Sequence, residues 1–513
     1  MKKNILKALF VLTIGLFAVI NAGCGDLLDQ QPQGQWVKGD EPGGSFQTDI
    51  FTLYAKMRGY HVTTGNTAMA IHSFRSEDTE KGSTASDGAA FATMFDDFDY
   101  NASNGSLQSY WTNNYDIINI VNRILSDISE YEKAGNTLTE GDLTNRSEAH
   151  FFRAFAYFNL VRAFGEVPKI DFKVTDAAQT NVPKSSVDDI YKLIDSDLTE
   201  AAKYLPQKWS PVYVGRLTWG AARSLHAKAY LTRNDWTNTY TAATEVINSG
   251  IYNLNTPYEQ IFRESGENGS ESILELQCTS TPSQPGTNDI GSQFAQVQGV
   301  RGAGDWNLGW GWNTPTQLLA DAFEPGDPRK DETLLYFIKS GGDPSTIPAN
   351  KPWNEKPVAN ADVTNKYYNK KAYTDPALRL LYTKGGFWVN VRLIRYADIV
   401  LMASEAANEL GNPADALKYL EMVRARARGS NASILPKVTT TVQAELRNAI
   451  RHERRVELGM EYDRFYDLVR WGIAAEVLHA AGKTKYLDKH KYLPLPQAEI
   501  DKSNGVLKQN PNY

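Results

Sequence analysis

The chain has 513 residues, with 54 Lys or Arg against 60 Asp or Glu and a net charge of −6. The two signs are mixed along its length, which excludes the basic stripe that nucleic-acid binding requires. Only two cysteines occur, so a fold of this size must rest on an apolar core and not on a disulfide framework.

Residues 1–24 read as an export signal. Lys2, Lys3 and Lys7 give a positive start, Ala8 to Ile20 is apolar, and Asn21-Ala22-Gly23 leads into Cys24. The apolar stretch is shorter than the roughly twenty residues that span a bilayer, and no later segment approaches that length without charge. The Ala22-Gly23-Cys24 ending is similar to a bacterial lipoprotein processing site, where the Cys24 thiol is acylated and becomes the new first residue. Asn21 stands where such sites usually carry an aliphatic side chain; the alternative is a secreted chain with a free Cys24. The expected division is a signal peptide over 1–23, a lipidated cysteine and tether over 24–40, and a single domain over 41–513. Cys278, in a strand-like apolar run, is expected to be a buried small hydrophobe.

Beyond the tether, the strongest periodic signals are helical. Apolar residues recur at helical spacing over Phe46 to Arg58 and Tyr110 to Ile128. Ser147 to Phe164 is so aromatic that it must be buried, and Val187 to Tyr204 starts behind Ser185-Ser186 and stops before Pro206. Thr218 to Arg233 and Trp236 to Ser249 form an alanine-rich pair around Asn234-Asp235, a turn short enough to force the helices antiparallel. The plan recurs at Leu393 to Leu410 and Ala414 to Arg428 around Gly411-Asn412-Pro413. The fold class is therefore mainly α, with tetratricopeptide-like hairpins as scaffold, long loop-rich insertions and a few short strands. Residues 41–254 form the helical half, 255–390 a loop-rich region with short strands such as Ile273 to Gln277, and 391–513 the closing helices. Residues 61–109, rich in Ser, Thr, Gly and Asp, also read as non-helical.

Arg451 to Trp471 is the most specific stretch. Glu453 and Glu457 face Arg454 and Arg455 at helical spacing, and Asp463, Arg464, Asp467 and Arg470 repeat the arrangement on the next helix. With a cation beside each carboxylate, this reads as a structural ion-pair network, not as acid–base machinery.

The same stretch resembles the signature of the SusD/RagB family of surface lipoproteins. Arg395 to Ala406, Leu225 to Tyr252, the closing Leu493 to Ile500 and Gln509 to Tyr513, and Cys24 followed by Leu28-Asp29 and Pro32 are similar to other parts of that family, in order. The resemblance implies a mostly helical, non-catalytic binding protein on the outer face of a Gram-negative outer membrane. Its partner would be a SusC-like TonB-dependent transporter, with the tetratricopeptide side toward that barrel, and most such proteins capture oligosaccharides for import. Peptide capture within the same family role, a glycoside hydrolase, or a helical scaffold without a small ligand are the rival readings.

A sugar offers apolar C–H faces to aromatic rings and hydroxyls to planar polar groups. Trp306, Trp310 and Trp312, interleaved with two glycines, are candidate platforms, Trp312 being the one best explained by packing. Tyr367, Tyr368, Trp353 and Trp388 are further aromatic candidates, Trp388 better explained as core. Arg75, Glu77 and Asp78 are candidate hydroxyl partners, by resemblance to a ligand-lining loop.

No metal or cofactor is expected. His452-Glu453 lacks a second histidine four residues on, Gly482-Lys483-Thr484 has Val477 where a phosphate loop needs glycine, and no G-x-S-x-G elbow occurs. Asp97, Asp99 and Asn101 open like a calcium loop, but Ala102 replaces the turn glycine and no Glu stands at 108.

Overall fold

The structure is a computed structural model in which residues 44–337 and 363–513 are described. Cys24, the tether over 24–40 and Trp353 lie outside the described residues. The main helices are α1 (Gln47–Met57), α2 (Gly105–Lys133), α3 (Glu140–Phe164), α4 (Val187–Tyr204), α5 (Trp219–Thr232), α6 (Trp236–Asn248), α7 (Tyr396–Glu409), α8 (Pro413–Arg428), α9 (Gln443–Glu457), α10 (Arg464–Arg470) and α11 (Gln497–Lys502).

Local sequence sets their ends. Thr139 and Asp142 close a capping box on α3, while Ser186, Thr218, Asp235 and Asn412 accept backbone N–H bonds at the starts of α4, α5, α6 and α8. Each cap is worth about 1 kcal/mol. Asn234 takes the left-handed conformation (φ 58°), which reverses the chain between α5 and α6. Ala221, Ala222, Ala227 and Ala229 are fully buried on α5 and let its neighbours approach closely. Helices α2 to α8 pack each on the next, and α9 packs on α7 and α8. One apolar core draws on residues from Ile50 to Leu507. The aromatic α3 lies at its centre, with Phe151, Phe152, Tyr157 and Phe158 at no more than 1% exposure.

The strands are short and antiparallel. β1 (Thr79–Gly82) pairs with β5 (Trp312–Pro315), β2 (Val167–Pro168) with β3 (Lys184–Ser185), β4 (Ser272–Leu276) with β8 (Val391–Arg395), and β6 (Leu334–Tyr336) with β7 (Tyr367–Asn369). The β4–β8 pair ties both ends of the loop-rich region to the scaffold between α6 and α7. It also corrects the expected helix over Leu393 to Leu410: residues 393–395 belong to β8, where they pair with β4, and Arg395 joins an ion cluster with Glu271, Glu457 and Glu461. Residues 61–109 are more helical than expected, with Asn66–His72 and Thr93–Asp97 in helices. Cys278 is buried, and burial pushes its thiol up to about 11.

The charged residues of the C-terminal motif hold the scaffold to the loop region. Glu457, fully buried, accepts from Arg426 (2.5 Å), Arg395 (3.0 Å) and Arg329 (3.1 Å). Glu453 accepts from Arg329 (2.6 Å) and Arg424 (2.9 Å). Arg454 reaches Asp398 (2.9 Å) and Asp467 (3.4 Å), and Arg470 reaches Glu405 (2.7 Å) and Asp467 (2.8 Å). The expected same-helix facing of Glu453 and Glu457 with Arg454 and Arg455 is therefore corrected, since nearly every partner comes from another element.

Burial acts to raise the Asp398 carboxyl, but Lys228 and Arg454 outweigh it and hold the group down at about 2. A depressed carboxylate stabilises the fold above its unfolded value near 3.9 and loses that contribution as pH falls through the folded one. Asp398→Asn is thus expected to cost on the order of 2 kcal/mol at pH 7. Urea titrations at stepped pH should show the gap from wild type shrinking only between about pH 4 and pH 2; a gap independent of pH would refute the charge account.

Candidate ligand-binding site

The β1–β5 pair brings two distant loops together. Its register sets Gly82 opposite Trp312, and beyond it the Ser83 N–H donates to the Gly311 carbonyl at 2.6 Å. Gly82 and Gly311 both have φ 73°, a conformation L side chains rarely adopt. Gly88 (φ 66°) lies flat on the Trp312 indole: a Cβ there would stand 2.1 Å from a ring carbon.

Trp312 is the hub of this junction. It is 4% exposed and stacked between Phe74 (6.4 Å) and Phe91 (5.9 Å), both nearly parallel to it. The Lys81 ammonium sits 5.4 Å from its ring centre and donates to the carbonyls of Gly82, Thr84 and Asp87 at 2.8–3.0 Å, clamping the 82–87 turn. Burial lowers the Lys81 pKa, and burial together with Asp96 raises that of Glu80, which accepts from Thr314 and Asn365. Lys483, from the Gly482-Lys483-Thr484 stretch, donates to the Phe74 carbonyl (2.6 Å) and Asp96 (2.5 Å) and so props the same strand.

What this frame presents outward is Trp310 (36% exposed) and Phe91 (40% exposed). Trp310 is held by its backbone N–H to the Gln296 carbonyl at 2.8 Å, and Phe91 rests on Trp312. Beside them Arg301 donates through Nη1 to Asp87 (2.5 Å) and Ser83 (2.6 Å), leaving Nε and Nη2 without a partner among the described residues. The Asp305 side chain is fully exposed, with the Lys384 ammonium 3.9 Å away as its neighbour, and no contact among the described residues places it at this surface. A rigid aromatic surface with guanidinium, carboxylate and hydroxyl groups at its edge can stack an apolar ring face and bond its hydroxyls.

The other predicted ligand residues are placed elsewhere, and the expectation is corrected for each. Trp306 is turned inward against Phe337 (5.1 Å) and Tyr373 (6.3 Å). Tyr368 belongs to the same apolar cluster. Tyr367 is buried against Tyr336, its hydroxyl donating to Gln317. Arg75 is fully buried, its guanidinium 3.9 Å from the Phe465 ring centre and donating to the His490 carbonyl. Glu77 accepts from Arg464 (2.5 Å) and Asp78 from Arg455 (2.5 Å). Glu77 and Asp78 are thus the counter-charges of the motif's own arginines. Trp388 is core, donating to Glu264 at 2.7 Å. Asp99 is paired with Lys485, and no group of three metal-ligating side chains occurs among the described residues. Phe91, Asp87 and Arg301 were not singled out in the sequence; the small-residue run around Gly82 and Gly88 was their only signal.

A family model described as "SusD family" matches residues 270–513, and one described as "Starch-binding associating with outer membrane" matches residues 31–231. The chain belongs to the SusD/RagB family. Among SusD relatives, SusD-like protein P2 of Formosa agariphila is 28% identical over 82% of each chain. A SusD-like protein of Bacteroides ovatus is 25% identical over 90% of this chain and 82% of its own. A laminarin-binding SusD-like protein of known structure superposes with a TM-score of 0.72 at 26% identity, covering 91% of this chain and 98% of its own. A SusD superfamily protein of Bacteroides vulgatus gives 0.74 at 21% identity over 91% and 98%. The tetratricopeptide-like scaffold is thus the SusD fold, and no described helix is long and apolar enough to cross a membrane.

Proposed function

We propose that this SusD-family protein captures an oligosaccharide on the surface built from Trp310 and Phe91, binding it without catalysis. The observation that carries this reading is the exposure of those two rings on loops fixed by Trp312, Gly88 and Lys81. A preorganised platform loses little freedom on binding, so more of the stacking energy appears as affinity. Arg301 and Asp87 would orient the ring through its hydroxyls. The laminarin-binding relative of the same fold supports a glycan as the ligand class.

The wider role is a lipid anchor on Cys24 at the outer membrane and a lid on a SusC-like TonB-dependent transporter. It is supported by the family and by the outer-membrane association in the matched family's description. Mass spectrometry of the mature N-terminus tests the anchor, and co-purification from membranes tests the transporter.

Isothermal titration against a polysaccharide panel tests the site. Trp310→Ala is expected to weaken binding by about tenfold or more, roughly 1.4 kcal/mol, with no change in the urea midpoint. Undiminished affinity would refute the Trp310 platform, and release of reducing ends from any bound polysaccharide would refute binding without catalysis.

A further inference from the structure

A second concavity lies away from the Trp310 face and shares no residue with it. It opens between α2, the 168–182 segment and the C-terminal residues of and after α11, with a volume of about 630 Å³. That lies within the roughly 300–1,000 Å³ typical of ligand pockets. Its floor is apolar, built from Trp111, Ile118, Ile170 and Leu507.

Tyr115 forms one wall, and its ring is fixed in place. The hydroxyl donates to the Pro168 carbonyl at 2.7 Å, and the ring packs 4.9 Å from Trp111. Around the rim, the exposed side-chain amides of Asn119 and Asn181 have no partner among the described residues. Asp116 keeps one oxygen free while the other meets Lys56 at 3.3 Å.

We infer that this groove is a second binding site, for a short neutral oligosaccharide. An apolar floor with a fixed aromatic wall suits the C–H faces of sugar rings, and unpartnered amides with a carboxylate oxygen suit their hydroxyls. The charges argue against an anionic ligand. Among the lining residues the one cation, Lys502, is bound to Glu499 at 2.8 Å, and Asp116 adds a second carboxylate, so a sulfate, phosphate or uronate would meet more negative charge than positive. A peptide adding as a strand would find only β2 and β3 beside the groove, two residues each, too short for a run of main-chain hydrogen bonds. The inference takes from the proposed function only that the ligand is a carbohydrate.

The test is calorimetric titration of laminarihexaose, maltohexaose and cellohexaose into wild type, Trp310→Ala, and Trp310→Ala carrying Asn119→Ala and Asn181→Ala. Both asparagines are exposed and unpartnered, so folding, measured by circular dichroism and urea midpoint, is expected to be unchanged. Trp310→Ala should retain one equivalent of binding for at least one probe, and the two added substitutions should weaken it at least tenfold. If Trp310→Ala binds none of the three, the groove is overturned while the Trp310 platform stands. Residual binding that the asparagine substitutions leave unchanged also overturns it. Should Trp310→Ala match wild type while the asparagine substitutions abolish binding, the groove stands and the platform falls.

Discussion

Glu457→Ala is expected to destabilise the protein by about 3–5 kcal/mol, because it removes the one carboxylate shared by three buried guanidiniums, which then face a cavity and each other with fewer counter-charges. Glu457 has no exposed surface and joins Arg329 from the loop region, Arg395 from β8 and Arg426 from α8. Burial alone would raise its carboxyl, yet Arg426, Arg395, Arg329 and Lys371 together hold it far below the usual carboxylate range. The penalty is one of charge more than of volume, so Glu457→Gln should cost nearly as much, although it preserves size. Glu200→Ala gives the contrast: it removes only the exposed partner of Lys203 (2.6 Å) and should stay within about 1 kcal/mol. Equilibrium urea unfolding of the three variants measures this, and a Glu457→Ala loss under about 1 kcal/mol would sink the hub assignment.

Trp306→Ala is the second large effect, and its sign separates packing from binding. Trp306 is 9% exposed in a cluster with Val300, Leu308, Leu335, Phe337, Tyr368 and Tyr373. Truncating a buried indole to alanine costs about 3–5 kcal/mol through lost apolar burial and the cavity left behind. The urea midpoint should therefore fall strongly for Trp306→Ala and hardly at all for Trp310→Ala, while ligand affinity shows the reverse order of direct effects. If Trp306→Ala is as stable as wild type and loses only ligand, the placement of the two rings is wrong.

The three tryptophans show where sequence stops informing. Trp306, Trp310 and Trp312 lie within seven residues of one another, and their spacing alone does not say which faces solvent. The choice is made by Phe74 and Phe91, more than two hundred residues upstream, which sandwich Trp312, and by Phe337 and Tyr373, which take Trp306. Trp310 is left outside. The same holds for charge. Arg464 and Glu77 are 387 residues apart, and Arg455 and Asp78 are 377 apart. By local spacing the acids resemble ligand partners and the arginines resemble neighbours of helical glutamates. A buried cation is satisfied by whichever carboxylate the packed elements bring within reach.

By itself the sequence determined the helical scaffold and the family. Periodicity, caps and turn residues act over a few positions, so α4 is legible from the Ser186 cap to its end before Pro206, and the α5–α6 hairpin from Asn234-Asp235. Tertiary structure alone decided which aromatic rings are presented, which charges are spent on the fold, and where the chain leaves a groove. These depend on contacts between segments hundreds of residues apart, and local preference carries no information about them.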